Sequence, residues 1–199
     1  VTCPVGTYPT GIQYTAVGDL DLTVQAGSNL GTGGVVATAG ATAGDADNLI
    51  LEFAGTTSSV SFNTQAFPRL FDVQSQAGDI LVDLTAAPAN NNSMSWQANN
   101  AATTHGIYAI SHGGGDVQIV RSVPAILEFC VTGVNSVAAI EARTGGAGDV
   151  TIGDGSRFLI NGGQHGILAS VVDGDLSIAL GSGDAPGRLY GIRPAATGT

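Results

Sequence analysis

Along Leu20-Asp-Leu-Thr-Val24 apolar and polar residues alternate with a period of two, so Leu20, Leu22 and Val24 share one strand face and Asp21 and Thr23 the other. Similar short runs return at Leu49-Ile-Leu-Glu-Phe53, Ile80-Leu-Val82, Val117-Gln-Ile119, Val150-Thr-Ile152 and Leu176-Ser-Ile178. Each follows a Gly-Asp pair, and ahead of each pair a glycine turn separates it from another apolar run. The fullest copy of this unit is His105-Gly-Ile-Tyr-Ala-Ile-Ser-His-Gly-Gly-Gly-Asp-Val-Gln-Ile-Val120. Gly11-Ile12, Val35-Val36, Arg69-Leu70, Ala139-Ile140 and Gly166-Ile167 open the other five, of which the second is looser, its strand delayed from Gly44-Asp45 to Leu49.

The Gly-Asp pairs begin at 18, 44, 78, 115, 148 and 174, so the copies are spaced by 26, 34, 37, 33 and 26 residues. Periods of this size belong to solenoids, propellers or arrays. Leu127-Glu-Phe129, Phe158-Leu-Ile160 and Val60-Ser-Phe62 supply a third strand per period. No segment carries a capped period of 3.6, so little helix is expected. Three short strands and three turns match one coil of a β-helix, whereas propeller blades of about 40 to 45 residues are longer than the shortest periods. The expected fold is therefore all-β: a right-handed parallel β-helix of about six to seven coils, six of them forming a shaft roughly 29 Å long at the usual strand spacing. Residues 1–10, with Pro4 and Pro9, lack two backbone donors and are expected to cap the first turn, leaving 11–199 for the helix. Ala86 to Thr104, with Asn90-Asn-Asn92 and Trp96, is expected to be a loop projecting from the shaft.

Composition narrows the partners. The 199 residues show no break or linker and fit one domain. Hydrophobic residues make up 43% and charged residues 11%, which opposes disorder. Net charge is −10, and the six basic residues are scattered arginines, so neither nucleic acid nor an anionic membrane surface is an expected partner. No apolar run approaches the roughly 20 residues of a membrane-spanning helix.

The recurring Gly-Ile-(Tyr/Leu)-Ala, glycine turn, Gly-Asp-(Leu/Val/Ile)-x-(Ile/Leu/Val) pattern, spanning Gly11 to Ile192, resembles the passenger domains of bacterial autotransporters and related large exported adhesins. The resemblance implies export to the cell surface, an elongated β-helix and a C-terminal membrane barrel. It makes the chain a fragment of a longer passenger, with Gly191-Ile192 opening a coil that Thr199 leaves unfinished. The two cysteines depart from the pattern of such shafts.

Candidate chemistry is sparse. Asp19, Asp79, Asp116, Asp149 and Asp175 should point outward and stack into a column of carboxylates, either as a calcium ladder or as acceptors for turn amides. The turn role is favoured because it is available locally. His105 and His165 occupy matching places two coils apart, too far to share a metal, and His112 falls in the turn after the first strand. Gly153-Asp154-Gly155-Ser156 has no assignable His and Asp partners for a nucleophilic serine. Asp72, Asp83, Glu52, Glu128 and Glu141 form no cluster in the sequence. No cofactor and no catalysis are expected. The expected role is a noncatalytic surface-exposed or secreted shaft whose partner is a host-cell, matrix or glycan ligand. The alternatives are a self-associating fibre subunit and a carbohydrate-active β-helix enzyme, marked by a cleft with two or more carboxylates beside an Arg. Cys3 and Cys130 lie about three coil spacings apart, roughly 14 Å, so an intramolecular disulfide requires the N-terminal segment to run along the shaft wall. Two free thiols, or a bridge between molecules, are the other states.

Overall fold

The computed structural model describes residues 1–25, 27–30, 33–54, 68–84, 94–98, 104–120, 127–131, 135–153, 158–181 and 190–196. No helix occurs among them, and the strands form three sheets in which every pairing is parallel. The first sheet holds β1 (Thr2–Cys3), β3 (Leu20–Gln25), β5 (Leu49–Ala54), β7 (Ile80–Asp83), β10 (Val117–Val120), β13 (Val150–Ile152) and β16 (Leu176–Ile178), side by side in that order. The second holds β2 (Ile12–Ala16), β4 (Val35–Ala39), β6 (Arg69–Ser75), β9 (His105–Ser111), β12 (Ala138–Thr144), β15 (His165–Val171) and β17 (Tyr190–Ala196), again in chain order. β8 (Met94–Ala98), β11 (Leu127–Val131) and β14 (Phe158–Gly162) make the third.

The alternation seen in the sequence sets which side chains enter the core. In the first sheet Leu20, Leu49, Ile80, Val117 and Val150 align across neighbouring strands, as do Leu22, Leu51, Val82, Ile119 and Ile152. All ten are buried. The second sheet answers with a large row, Val35, Phe71, Ile107, Ile140 and Ile167, beside a small one, Ala37, Val73, Ala109, Ala142 and Ala169. The narrow row leaves room for bulk elsewhere, and Phe53 meets Phe71 across the core with ring centroids 5.0 Å apart. A third inward row of the second sheet is polar: Ser75, Ser111 and Thr144 are buried and donate to the carbonyls of Asp47, Gly78 and Gly113. Those bonds satisfy the hydroxyls and fasten the turns between the sheets.

The N-terminal segment lies against β3 and the turn after it. Thr23 N donates to Val1 O, Asn29 N to Gly6 O, and Tyr8 N to Asn29 O. β1 ends before Pro4, as the missing donor requires.

One expectation is corrected. Met94–Ala98, inside the expected 86–104 loop, is a strand whose residues pair in register with Leu127–Val131. Its asparagine-rich flanks resemble loop composition, but the adjacent strand partners its backbone. Asp45, outside the expected aspartate column, does not occupy the place of the other Gly-Asp aspartates. Its carboxylate closes a local turn, accepting from Ala41 N, Thr42 N and Thr42 Oγ1, while Asn48 stands immediately before the strand that starts at Leu49. The third-strand expectation holds at β11 and β14, whereas Val60-Ser-Phe62 lies outside the described residues.

Candidate functional site

The residue before each first-sheet strand begins a ladder. Asp19 Oδ1 accepts from Asn48 N at 2.8 Å, and Asn48 Oδ1 from Asp79 N at 2.9 Å. Asp79 Oδ1 accepts from Asp116 N at 2.9 Å, Asp116 Oδ1 from Asp149 N at 2.8 Å, and Asp149 Oδ1 from Asp175 N at 2.7 Å. The backbone answers each bond with one of its own: Leu20, Leu49, Ile80, Val117 and Val150 donate to the carbonyls of Asn48, Asp79, Asp116, Asp149 and Asp175. Every link thus joins one strand start to the next through a side chain and a main chain. The ladder needs an acceptor oxygen and not a charge, since Asn48 serves within it. Among the described residues no three His, Cys, Asp or Glu side chains converge as a metal site.

The glycines ahead of Asp79, Asp116, Asp149 and Asp175 let the strands close up. A Cβ on Gly115 would stand 2.1 Å from Gly78 O, one on Gly148 2.3 Å from Gly115 O, and one on Gly174 2.0 Å from Gly148 O. These contacts are with backbone, which cannot swing aside.

A different constellation lies on the second sheet. Register aligns Asp72, Tyr108, Glu141, Leu168 and Arg193 in one row, and Gln74, Ile110, Arg143, Ser170 and Ala195 in the next. His105, one position class away, aligns with Ala138 and then His165, as the sequence spacing indicates. Glu141 is buried, with His105 Nε2 2.7 Å from its Oε2 and Arg143 Nε 3.0 Å from its Oε1. The His105 contact is an ion pair by distance, although its direction falls short of a hydrogen bond. Burial pushes the Glu141 carboxyl up, but His105 and the charges of Arg143 and Arg69 outweigh it, and the group lies below its ordinary range. His105 Nδ1 contacts Thr104 Oγ1 at 2.8 Å, and that hydroxyl donates to Pro68 O.

The other carboxylate is equally engaged. Asp72 Oδ2 takes Arg69 Nη1 at 2.7 Å and Oδ1 takes Gln74 Nε2 at 2.6 Å. Arg69 stacks its guanidinium 3.5 Å from the Tyr108 ring centroid, and Arg143 Nη2 donates to the Tyr108 hydroxyl at 3.1 Å. His112 reaches Gln74 Oε1 at 2.9 Å rather than His105. His165 is buried, and desolvation with the nearby Arg193 charge holds its pKa below the ordinary value against the opposing pull of Glu141.

Two carboxylates and two arginines are therefore brought together where the sequence gave no cluster. The signal was present: when the copies are aligned on their first strand, Asp72, Tyr108 and Glu141 fall in one column. General acid–base chemistry requires a carboxyl oxygen free to exchange a proton with a ligand. Here both oxygens of Asp72 take protein donors, Arg143 Nε stands 3.0 Å from Glu141 Oε1, and His105 Nε2 stands 2.7 Å from Glu141 Oε2.

Family models, curated proteins and solved structures offer no match to this chain. Its function rests on the residues themselves. Glu52 and Asp83 lie in register in the first sheet, away from this constellation, and Glu128 lies in the third. Asp154 and Ser156 fall outside the described residues, as does the side chain of Cys130. Cys3 is a free, partly buried thiol whose pKa burial pushes up, against the lowering effect of the N-terminal charge. It sits on the terminal strand of the first sheet, and Cys130 belongs to the middle strand of the third.

Proposed function

We propose that the chain is a length of right-handed parallel β-helix serving as a noncatalytic shaft on a bacterial surface or in a secreted adhesin. Support for the helix comes from chain order: β9, β10 and β11 enter the second, first and third sheets, and β12, β13 and β14 repeat that circuit beside them. The observation that carries the role is the Asp ladder, because the side chains that recur from copy to copy are used to bind each copy to the next. The Asp72 carboxylate, with both oxygens on protein donors, points the same way. The surface location rests on the resemblance of the repeat to exported passengers.

The test uses intact cells that produce the parent protein, probed with a membrane-impermeant label and with protease. Labelling and cleavage from outside are expected, and protection until lysis would refute the location. Incubation of the purified chain with acidic and neutral polysaccharides should release no fragments. Depolymerisation would replace the shaft reading with the enzyme one.

A further inference from the structure

Basic side chains are confined to one side of this acidic protein, where Asp72 and Glu141 accompany them, paired with Arg69 and Arg143. Among the described residues every basic side chain belongs to the second sheet or the turn that follows β9: Arg69, Arg143 and Arg193, with His105, His112 and His165. The aspartate ladder lies instead at the starts of the first-sheet strands. Beside the Arg143 side chain the second sheet is indented by an open recess of about 330 Å³. Its lining includes buried Ile110 and half-buried Val172, and its polar groups include Arg143, His112 and Ser170. Among the described residues no carboxylate lines it.

Arg143 is held ready by its neighbours. Nε is fixed on Glu141 and Nη2 on the Tyr108 hydroxyl, two of the five guanidinium N–H groups, and 45% of the side chain remains exposed. A planar donor positioned in advance loses less freedom on meeting a carboxylate than a mobile one does.

We infer that this recess binds a carboxylate-bearing sugar unit of an acidic polysaccharide, with Arg143 on the carboxylate, His112 and Ser170 on hydroxyls, and Val172 against the ring. This inference rests on the proposed role as a surface shaft and names its partner class. A polymer is favoured because the recess is open on its outer side, so a ligand seated there continues beyond the rim. A peptide added as a strand is disfavoured because β9, β12 and β15 are interior strands with partners on both sides. Asp173 follows Val172 but does not line the recess, so its repulsion acts only from the side.

The experiment is calorimetric titration of the whole chain with oligogalacturonate, with a neutral oligosaccharide of equal length, and with dextran sulfate. Oligogalacturonate should bind, more weakly as salt rises, and the neutral chain should not. Arg143→Gln should weaken binding about tenfold or more, the effect of losing a charge-assisted hydrogen bond. His112→Ala, at an exposed turn, should weaken it less while leaving the fold intact by circular dichroism. Equal binding of neutral and acidic chains, binding of the sulfated chain alone, no binding, or wild-type affinity in both variants would overturn the inference. Failure of the two ideas is separable: fragment release from bound oligogalacturonate overturns the noncatalytic shaft and leaves the recess as a binding site. A surface-exposed chain that binds no acidic sugar overturns only the recess.

Discussion

Gly18, Gly44 and Gly115 each precede an aspartate, yet replacing each with alanine should have a different effect. A Cβ at Gly115 would lie 2.1 Å from Gly78 O, and reaching an ordinary contact of 3.4 Å moves two backbones apart by more than about 1 Å. The same two strands are joined beside this point by Ile80 N to Asp116 O at 2.7 Å and Asp116 N to Asp79 Oδ1 at 2.9 Å. Overpacking of this kind costs about 1–3 kcal/mol, and weakening the two bonds adds about 1 kcal/mol or more. The stiffer unfolded chain returns about 0.4–1 kcal/mol, so the net loss for Gly115→Ala is about 1–3.5 kcal/mol. At about 2–4 °C per kcal/mol for a chain of this size, Tm should fall by about 2–14 °C. Gly18 has nothing within 4 Å of its would-be Cβ and lies outside the left-handed region, so Gly18→Ala should be neutral or stabilising by up to about 1 kcal/mol. Gly44 has equal space but a φ of +92°, and Gly44→Ala should cost about 1–2 kcal/mol through backbone strain alone. Thermal and urea denaturation of the three variants, followed by circular dichroism, separates these outcomes. Equal destabilisation by Gly18→Ala and Gly115→Ala, or an unchanged Gly115→Ala, would refute the stacked-glycine account.

The remaining expectations concern the ladder, the ion cluster and the cysteines. Asp116→Asn keeps the acceptor for Asp149 N and should leave stability within a few tenths of a kcal/mol, whereas Asp116→Ala should lose about 1 kcal/mol; equal effects in urea melts would remove the hydrogen-bond explanation. Acid should destabilise the protein in two stages. Below about pH 6.5 the unfolded chain protonates before His165, whose folded pKa is lowered, and below about pH 4.3 it protonates before Glu141, lowered likewise, so stability is greatest above both and falls as each folded pKa is passed. A urea midpoint that stays constant from pH 7 to pH 3 would contradict both shifts. Alkylation of unfolded protein without reductant should label both Cys3 and Cys130 on a monomer, given the free Cys3 thiol, and a mass lacking both labels would reveal a bridge.

Local alternation was enough to identify the strands of the first sheet from β3 to β16, though not β1, because burial on one face of a strand imposes a period of two wherever that strand pairs. The Gly-Asp pairs marked strand starts for the same reason: a turn demands small and acceptor-bearing residues. What each pair does was decided by the neighbouring strand. Gly115 is indispensable because Gly78 O lies against it, Gly18 has no such neighbour, and Gly44 is held by its own dihedral angle. Asn48 takes the ladder place that Asp45 holds in name, since only the register sets which side chain meets the amide of Asp79. Met94–Ala98 became a strand through the pairing offered by Leu127–Val131, against the asparagine-rich composition of its flanks. Asp72 and Glu141 stand 69 residues apart in the sequence, and two parallel pairings through Tyr108 put them in one row with their arginines. Periodicity along a chain records which way each side chain points, whereas contacts between distant residues exist only once the strands have chosen their register, and that choice belongs to the folded whole.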